Sequence, residues 1–385
     1  MSTTALFRRT IRKLRYSVLP GGGGRPTPDD VGWVYRVLLG RVPENRTIAE
    51  DQASRHRSLE SLCFSVLESP EFRATWQKNR IGLTAMNRHE DYTSASDIDV
   101  IRSFGAFAGP GTSGFVTDFL GTKTRIGFVK GLDAIDARVE GCPIPGNFHA
   151  PANEWAGTLR SVLEADGEFV CLELGAGWGP WLTACAAACE MRGIHSVKLI
   201  GVEAAESHVA FMRDHFLDNG LDPEFHTLLH GAAAPEDGFA DFPDLNDPSN
   251  DYGATLFVED PLLHRVIGPS STRVKAYSIP TLLDEYEVVN LVHIDIQGSE
   301  AEVVAAARPT LKAKVKRLVI GTHGRAVEQH LLENLSADGW ICETDHPCRY
   351  APFQGGLSLA VDGCQVWRNP ELSSQYPATR PRSGR

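Results

Sequence analysis

Phe169-Val-Cys-Leu-Glu-Leu-Gly-Ala-Gly-Trp-Gly179 is the stretch on which the reading of the fold turns. Its first six residues are almost wholly apolar, as expected of a parallel strand covered on both faces. Glycines follow at 175, 177 and 179. Without a Cβ, such a loop can bend sharply and bring backbone N–H groups against a ligand. The alanine-rich run from Trp181 to Met191 then reads as a buried helix. Strand, glycine loop and helix form the opening unit of a doubly wound α/β sheet.

Downstream the alternation repeats. Val197–Val202 reads as a second strand, and Glu206–Asn219 as an amphipathic helix with Val209, Met212 and Phe216 inward and Gly220 as its stop. Phe225–His230 is a third strand, Val289–Ile296 a fourth and Leu318–Thr322 a fifth. Helices Ser299–Leu311 and Arg325–Ala337 follow the last two. Leu357–Val361 and Gln365–Trp367 flank Asp362-Gly363, a two-residue hairpin signal. An acidic, Pro/Asp-rich insertion at about 235–251 reads either as a lid over substrate or as a solvated loop. The expectation is a Rossmann-like sheet with a terminal antiparallel hairpin over residues 154–370.

Upstream, residues 81–153 show no dominant period and read as a loop-rich connector and lead-in. Residues 26–80 read as a small all-helical module. Val31, Val34, Tyr35, Leu38 and Leu39 recur at helical spacing, as do Leu59, Leu62, Cys63, Val66 and Leu67. Residues 1–25 are a basic tail with Arg8, Arg9, Arg12, Lys13 and Arg15, ending in four glycines; residues 371–385 are a C-terminal tail. The basic residues interleave with Leu6, Phe7, Ile11 and Leu14. This fits either a solvated tail or an amphipathic segment in peripheral contact with anionic lipid.

Composition narrows the function classes. The chain has 385 residues, enough for about two domains. Lys+Arg is 38 and Asp+Glu is 49, a formal net charge of -11, which argues against nucleic acid as a partner. The eight cysteines form no CxxC pair and read as small buried thiols of a cytoplasmic protein. No apolar run reaches the ~18 residues that span a bilayer. Dinucleotide enzymes want G-x-G-x-x-G. From Gly175 the third glycine would fall at Pro180, and from Gly177 at Leu182, so a nicotinamide cofactor is disfavoured.

The acid-plus-glycine loop Glu173-Leu-Gly175-Ala-Gly177-Trp-Gly179 resembles the first motif of class I S-adenosylmethionine-dependent methyltransferases. The segment His293-Ile-Asp295-Ile-Gln-Gly298-Ser-Glu300 resembles the fourth-strand motif of the FkbM-type branch. Tyr277–Asp284 and Asp362–Asn369 are similar to its flanking segments, so the likeness covers roughly residues 145–370. It implies a seven-stranded methyltransferase sheet, S-adenosylmethionine as cofactor, and O-methylation of a sugar hydroxyl on a glycan or other small molecule. It also implies cofactor contacts. Glu173 would lie near the methionyl end, with Gly175, Gly177 and Gly179 at the loop. Glu203, past the second strand, would hold the ribose hydroxyls, Ala232 would face the adenine, and Asp295 the methionine moiety.

For the chemistry, His323 at the end of strand five is the expected base, since a neutral imidazole suits pH 7. Asp295 would orient it, and His293 shares the face of Asp295 by strand alternation. A metal bound by these three is geometrically open, but no fixed metal motif is matched. The chain departs from the family at His293, where many members have lysine, at Gln297, where many have glutamate, and at Gly321-Thr-His323, where many have Glu-x-His. Separately, Tyr35–Glu44 with Leu67–Phe72 resembles a helical domain of glycan-associated bacterial proteins. The rival reading is a non-catalytic glycan-binding or scaffold protein that keeps the fold, with binding carried by residues 26–77.

Overall fold

The computed structural model describes residues 25–39, 43–69, 71, 94–254, 270–353 and 356–373. The basic stretch 8–15, residues 40–42 and 72 of the helical signature, and the tail from 374 lie outside them. The chain divides into two compact units, residues 1–83 and 84–385.

The first unit contains helices α1 (Pro28–Leu39), α2 (Arg46–Arg55) and α3 (Leu59–Glu68). Asn45 and Ser58 begin α2 and α3 by accepting the N–H of Ile48 and Ser61 on their side chains. Val31, Val34, Tyr35 and Leu39 pack against Ala49, Ala53, Leu62, Cys63 and Val66. The helical spacing in the sequence therefore marks the buried stripe.

The second unit opens with α4 (Ala95–Arg102), started by a reciprocal Ser94/Asp97 capping box. The short pair β1 (Phe115–Thr117) and β2 (Lys123–Arg125) follows, then α5 (Ala152–Leu163). Residues 94–153 are thus partly regular and belong to the same unit as the sheet, where the sequence pattern suggested only loops.

The central sheet is built from β3 (Glu168–Leu174), β4 (Ser196–Glu203), β5 (Thr227–His230), β9 (Leu291–Ile294), β10 (Arg317–Thr322), β11 (Ile341–His346) and β14 (Gly363–Arg368). Their spatial order is β11-β14-β10-β9-β3-β4-β5. All neighbours are parallel except β14, which runs antiparallel to both β10 and β11. Helices α6 (Pro180–Met191), α7 (Glu206–Asp218), α8 (Glu300–Lys314) and α9 (Arg325–Ala337) connect the strands. Alternate residues of β3 serve opposite faces. Phe169 and Cys171 join the core under α5 and α6, while Val170, Leu172 and Leu174 join the core under α8 and α9. Truncating one such leucine to alanine costs about 2–5 kcal/mol.

Two expectations are corrected in detail. Asp362-Gly363 is not a hairpin turn. Neither residue takes the positive φ that a type I′ turn requires of both. β13 (Gly356–Val361) instead pairs with β12 (Arg349–Phe353), and Gly363 opens β14. That glycine is needed for room: a Cβ there would sit 2.3 Å from Thr322 Oγ1 and 2.5 Å from Glu328 Oε1. The antiparallel pair at the sheet's end is β11 with β14. The acidic insertion also carries a strand. β7 (Gly238–Pro243) pairs with β8 (Ser271–Tyr277), which in turn pairs with β6 (Ala232–Ala233).

All eight cysteines are free, and those at 63, 171, 185, 189, 348 and 364 are buried. Among the described residues, no helix is long and apolar enough to cross a membrane. At the end of the sheet where β10 begins, Arg317 donates to Glu164 (2.6 Å) and pairs with Glu343, which also accepts from Arg368 (3.0 Å).

Candidate functional site

A cavity partly open to solvent lies at the carboxyl ends of β3, β4 and β9. That is where ligands bind in open α/β sheets. The glycine loop forms one wall. Gly175 and Gly177 have φ of 72° and 54°, left-handed values that a side chain disfavours. A Cβ on Gly175 would lie 1.8 Å from the Asp295 carbonyl oxygen, so the loop can cross the end of β9 only as glycine.

Glu203, the last residue of β4, is buried in the opposite wall. It accepts the Gly177 N–H on Oε2 (2.8 Å) and the Ala205 N–H on Oε1 (2.7 Å). Each carboxylate oxygen keeps a second lone pair, so two ligand hydroxyls can still be received. Gly231, Ala232 and Ala233 line the wall beyond β5. Asp295 and Gln297 close the remaining side, with the Gln297 amide donating to Asp295 Oδ1 at 2.9 Å.

Asp295 faces the cavity with 42 % of its side chain exposed, and His323 lies behind it, 4 % exposed. His323 Nε2 is 3.3 Å from Asp295 Oδ1, and its Nδ1 is 2.8 Å from Glu300 Oε1. Glu300 is fully buried at the start of α8, where its carboxylate also accepts the N–H groups of Ile296 and Gly298. Burial works against charge on His323, but Glu300 and then Asp295 outweigh it and raise the imidazole to about 9. Although one edge of it faces the cavity, the water that Asp295 loses among its neighbours lifts it to about 6, with His323 opposing. Between those values the pair holds one proton, on His323, and presents a carboxylate to the cavity.

One ligand atom from each of Asp295, Glu300 and His323 falls within 4.8 Å of the others, close enough to share an ion. Glu300, however, is already committed to three N–H donors and serves as the anchor of the imidazole.

Of the residues singled out in the sequence, Gly175, Gly177, Glu203, Ala232 and Asp295 line the cavity. Glu173, Gly179, His293 and His323 are not on its wall. Glu173 is 1 % exposed and accepts the Leu182 N–H (3.1 Å), so it caps the first turn of α6. Burial lifts its carboxyl well above the ordinary range, against the pull of the Leu182 and Trp181 amides. Gly179 is the N-cap of α6, and a Cβ there would meet Met212 Cγ at 2.8 Å. His293 bonds Glu154 Oε1 through Nε2 (2.9 Å), with the Trp181 ring 5.0 Å away. It stands one layer behind the wall.

The sequence reading missed His208 and Tyr252, both on the wall, and named Gln297, also on the wall, only as a departure from the family. His208 shares the buried face of α7 with Met212, His215 and Phe216, and Tyr252 follows a segment whose acidity obscured it.

Comparison with known proteins places the chain beside a relative. A protein of Jannaschia sp. (strain CCS1), named "Putative methyltransferase", is 34% identical over 282 residues, covering 71% of this chain and 98% of that protein. No protein-family model matches the chain. Two solved structures overlap it at a TM-score of 0.33. Precorrin-6y C5,15-methyltransferase from Geobacter metallireducens GS-15 has 12% identity over 57% of this chain and 88% of its own. Methyltransferase FkbM from Methylobacillus flagellatus KT has 13% identity over 52% of this chain and 43% of its own. Neither overlap says anything of this chain's acceptor.

Proposed function

The chain belongs to the methyltransferase family of its Jannaschia relative, and from that membership we propose that it methylates a hydroxyl oxygen, with S-adenosylmethionine as donor and a sugar of a glycan or small glycoside as acceptor. The observation that carries this reading is the pairing, across one cavity, of the Glu203 carboxylate with the Asp295–His323 pair.

The residues present fit the donor. Glu203 would take its ribose hydroxyls on the two free lone pairs, and the Gly231–Ala233 wall admits a flat base. Gly175 and Gly177 give backbone approach to the donor. When bound, the donor supplies an electrophilic methyl group on a sulfonium.

The chain's own residues do the rest. Holding the acceptor oxygen in line with that methyl is worth up to about 7–11 kcal/mol in principle. Asp295 Oδ1 is bonded by Gln297, and Oδ2 carries no hydrogen bond among the described residues. Oδ2 is therefore the oxygen placed to take the acceptor's proton; the C–O bond would form as the methyl–sulfur bond breaks, its electron pair going to sulfur to leave the neutral thioether product. His323, held by Glu300, keeps Asp295 ionised and aimed, and the relay contributes in the usual ~10²–10⁴-fold range of general-base help.

Calorimetry with S-adenosylhomocysteine tests the donor half. Binding by the intact protein that is lost in Glu203→Ala supports the reading; no binding by the wild type removes it. Incubation with methyl-labelled donor and a panel of sugars, amines and carboxylates tests the acceptor half. Label appearing on nitrogen or carboxylate alone would overturn hydroxyl transfer.

A further inference from the structure

His208 lies in α7, buried to 3 %, and is placed in no role by the reading above. Three contacts converge on its ring. Nδ1 is 3.6 Å from Glu203 Oε1. Nε2 is 2.8 Å from the Pro248 carbonyl oxygen. One face lies on the Tyr252 ring, with centroids 4.3 Å apart and planes 5° from parallel. One imidazole thus joins the carboxylate assigned to the donor's ribose with the chain at 244–252 that passes over the same cavity.

That strap is a built element. The Asp247 carbonyl accepts the N–H groups of Asn250 and Asp251, and Asp251 Oδ2 accepts those of Asn246 and Asp247. Its far side is tied to the segment after β2. The Lys130 N–H donates to Ser249 O (2.8 Å), Lys130 Nζ pairs with Asp247 (3.2 Å), and the Tyr252 hydroxyl donates to Phe128 O (2.7 Å). Asp251 and Tyr252 line the cavity, and the Tyr252 ring rests on the loop where a Cβ at Gly177 would come within 3.3 Å. A strap so latched forms part of the cavity's wall.

We propose that His208 is a positioning residue: it latches the strap 244–252 against Glu203 and so sets how fast the donor and its product leave the cavity. The inference rests on the donor reading above, and deepens it by assigning release to a specific latch. In many enzymes such a release step limits turnover.

The test is the dissociation rate of S-adenosylhomocysteine, read by stopped-flow tryptophan fluorescence; Trp178 packs on Tyr252 at 4.9 Å. His208→Ala removes the Pro248 bond and the stacked face. It should speed dissociation about tenfold and raise the donor KM similarly, a larger change than any in kcat at saturating donor. His208→Gln, which can still donate to Pro248 O, should restore part of the slow rate. Lys130→Met acts from the exposed side and touches no cavity wall. It should speed dissociation in the same direction, and the double variant should fall short of the product of the two because both loosen one strap. Wild-type binding with a dissociation rate unchanged within about twofold in both single variants would overturn the latch alone. If His208→Ala does not fold, His208→Phe, which keeps the stacked ring but loses the Pro248 bond, takes its place: faster dissociation supports the latch and an unchanged rate overturns it. Absence of wild-type binding would overturn the donor reading and the latch together.

Discussion

The Nε2 of His323 lies 3.3 Å from Asp295 Oδ1, while its Nδ1 is fixed 2.8 Å from the buried Glu300. An imidazole between two carboxylates is held cationic, so it is not a neutral base at pH 7. The sequence pointed to His323 as proton acceptor. Under the function proposed above, that task passes to the carboxylate in front of it.

The pair gives a pH profile. Asp295 must be ionised, so kcat/KM should rise through about pH 6. It should fall again as His323 loses its proton near pH 9. Such limbs are macroscopic values of the coupled pair. A profile flat between those values and level beyond them would remove the pair from the chemistry.

Glu300→Gln keeps an acceptor oxygen but removes the charge that does most to raise His323. The alkaline limb should move toward neutrality. Stability follows with a definite sign. A histidine raised above its ordinary 6.5 stabilises the fold fully below that value and loses this contribution as pH rises through about 9. Thermal melts of the wild type should therefore weaken from pH 7 to 9, and those of Glu300→Gln should weaken less.

Glu203→Ala leaves the amides of Gly177 and Ala205 without their acceptor. An orphaned buried donor costs about 1–3 kcal/mol. The donor should bind at least about tenfold more weakly in calorimetry, since both ribose contacts go as well. Unchanged affinity would dissociate Glu203 from the ribose.

Gly175→Ala and Gly167→Ala separate crowding from backbone conformation. Both glycines have positive φ, but a Cβ at 167 meets nothing within 4 Å, whereas at 175 it lies 1.8 Å from Asp295 O. The left-handed conformation alone costs an alanine about 1–2 kcal/mol. Denaturant melts should show about that loss for Gly167→Ala and a clearly larger one for Gly175→Ala.

Gly321→Ala places a methyl 3.4 Å from Asp295 Cγ, an ordinary contact at a φ any residue accepts. Stability and activity should therefore both stay near those of the wild type, since no atom has to move to admit the methyl. A large loss of activity would mean that Asp295 needs the space that the glycine leaves.

Where one face or one stripe is buried, the sequence was legible. The apolar run of β3, the stripe of α1 and the glycine spacing at 175–179 each translate one local constraint into residue type. Glu203 was found because a strand end has one position that faces the crevice. Glu173 was misplaced because an acid beside a glycine loop can face either the ligand or the first turn of the next helix. Only packing shows that the amide of Leu182 claims it. Asp362-Gly363 misled for a similar reason: crowding by Thr322 and Glu328 demands glycine as surely as a turn does. β8 was readable in principle, since Val274 and Ala276 alternate inward in Ser271–Tyr277. The His323–Glu300 contact joins residues 23 apart across one helix and the strand that follows it, and no local pattern encodes such a meeting.

The network of Arg317, Glu164, Glu343 and Arg368 lies at the end of the sheet away from the cavity. Arg317 is fully buried there, as is nearly all of Glu164. Charges shielded this way are screened little by dissolved salt, unlike the exposed Lys130–Asp247 pair. Ionic strength therefore addresses the two ends separately: the base of the sheet should hold its melting temperature in brine that loosens the cavity's rim. Neutralising one member of the network should cost about 3–5 kcal/mol, as for any buried pair robbed of its partner. The molecule thus has a salt-indifferent foundation beneath a salt-responsive mouth.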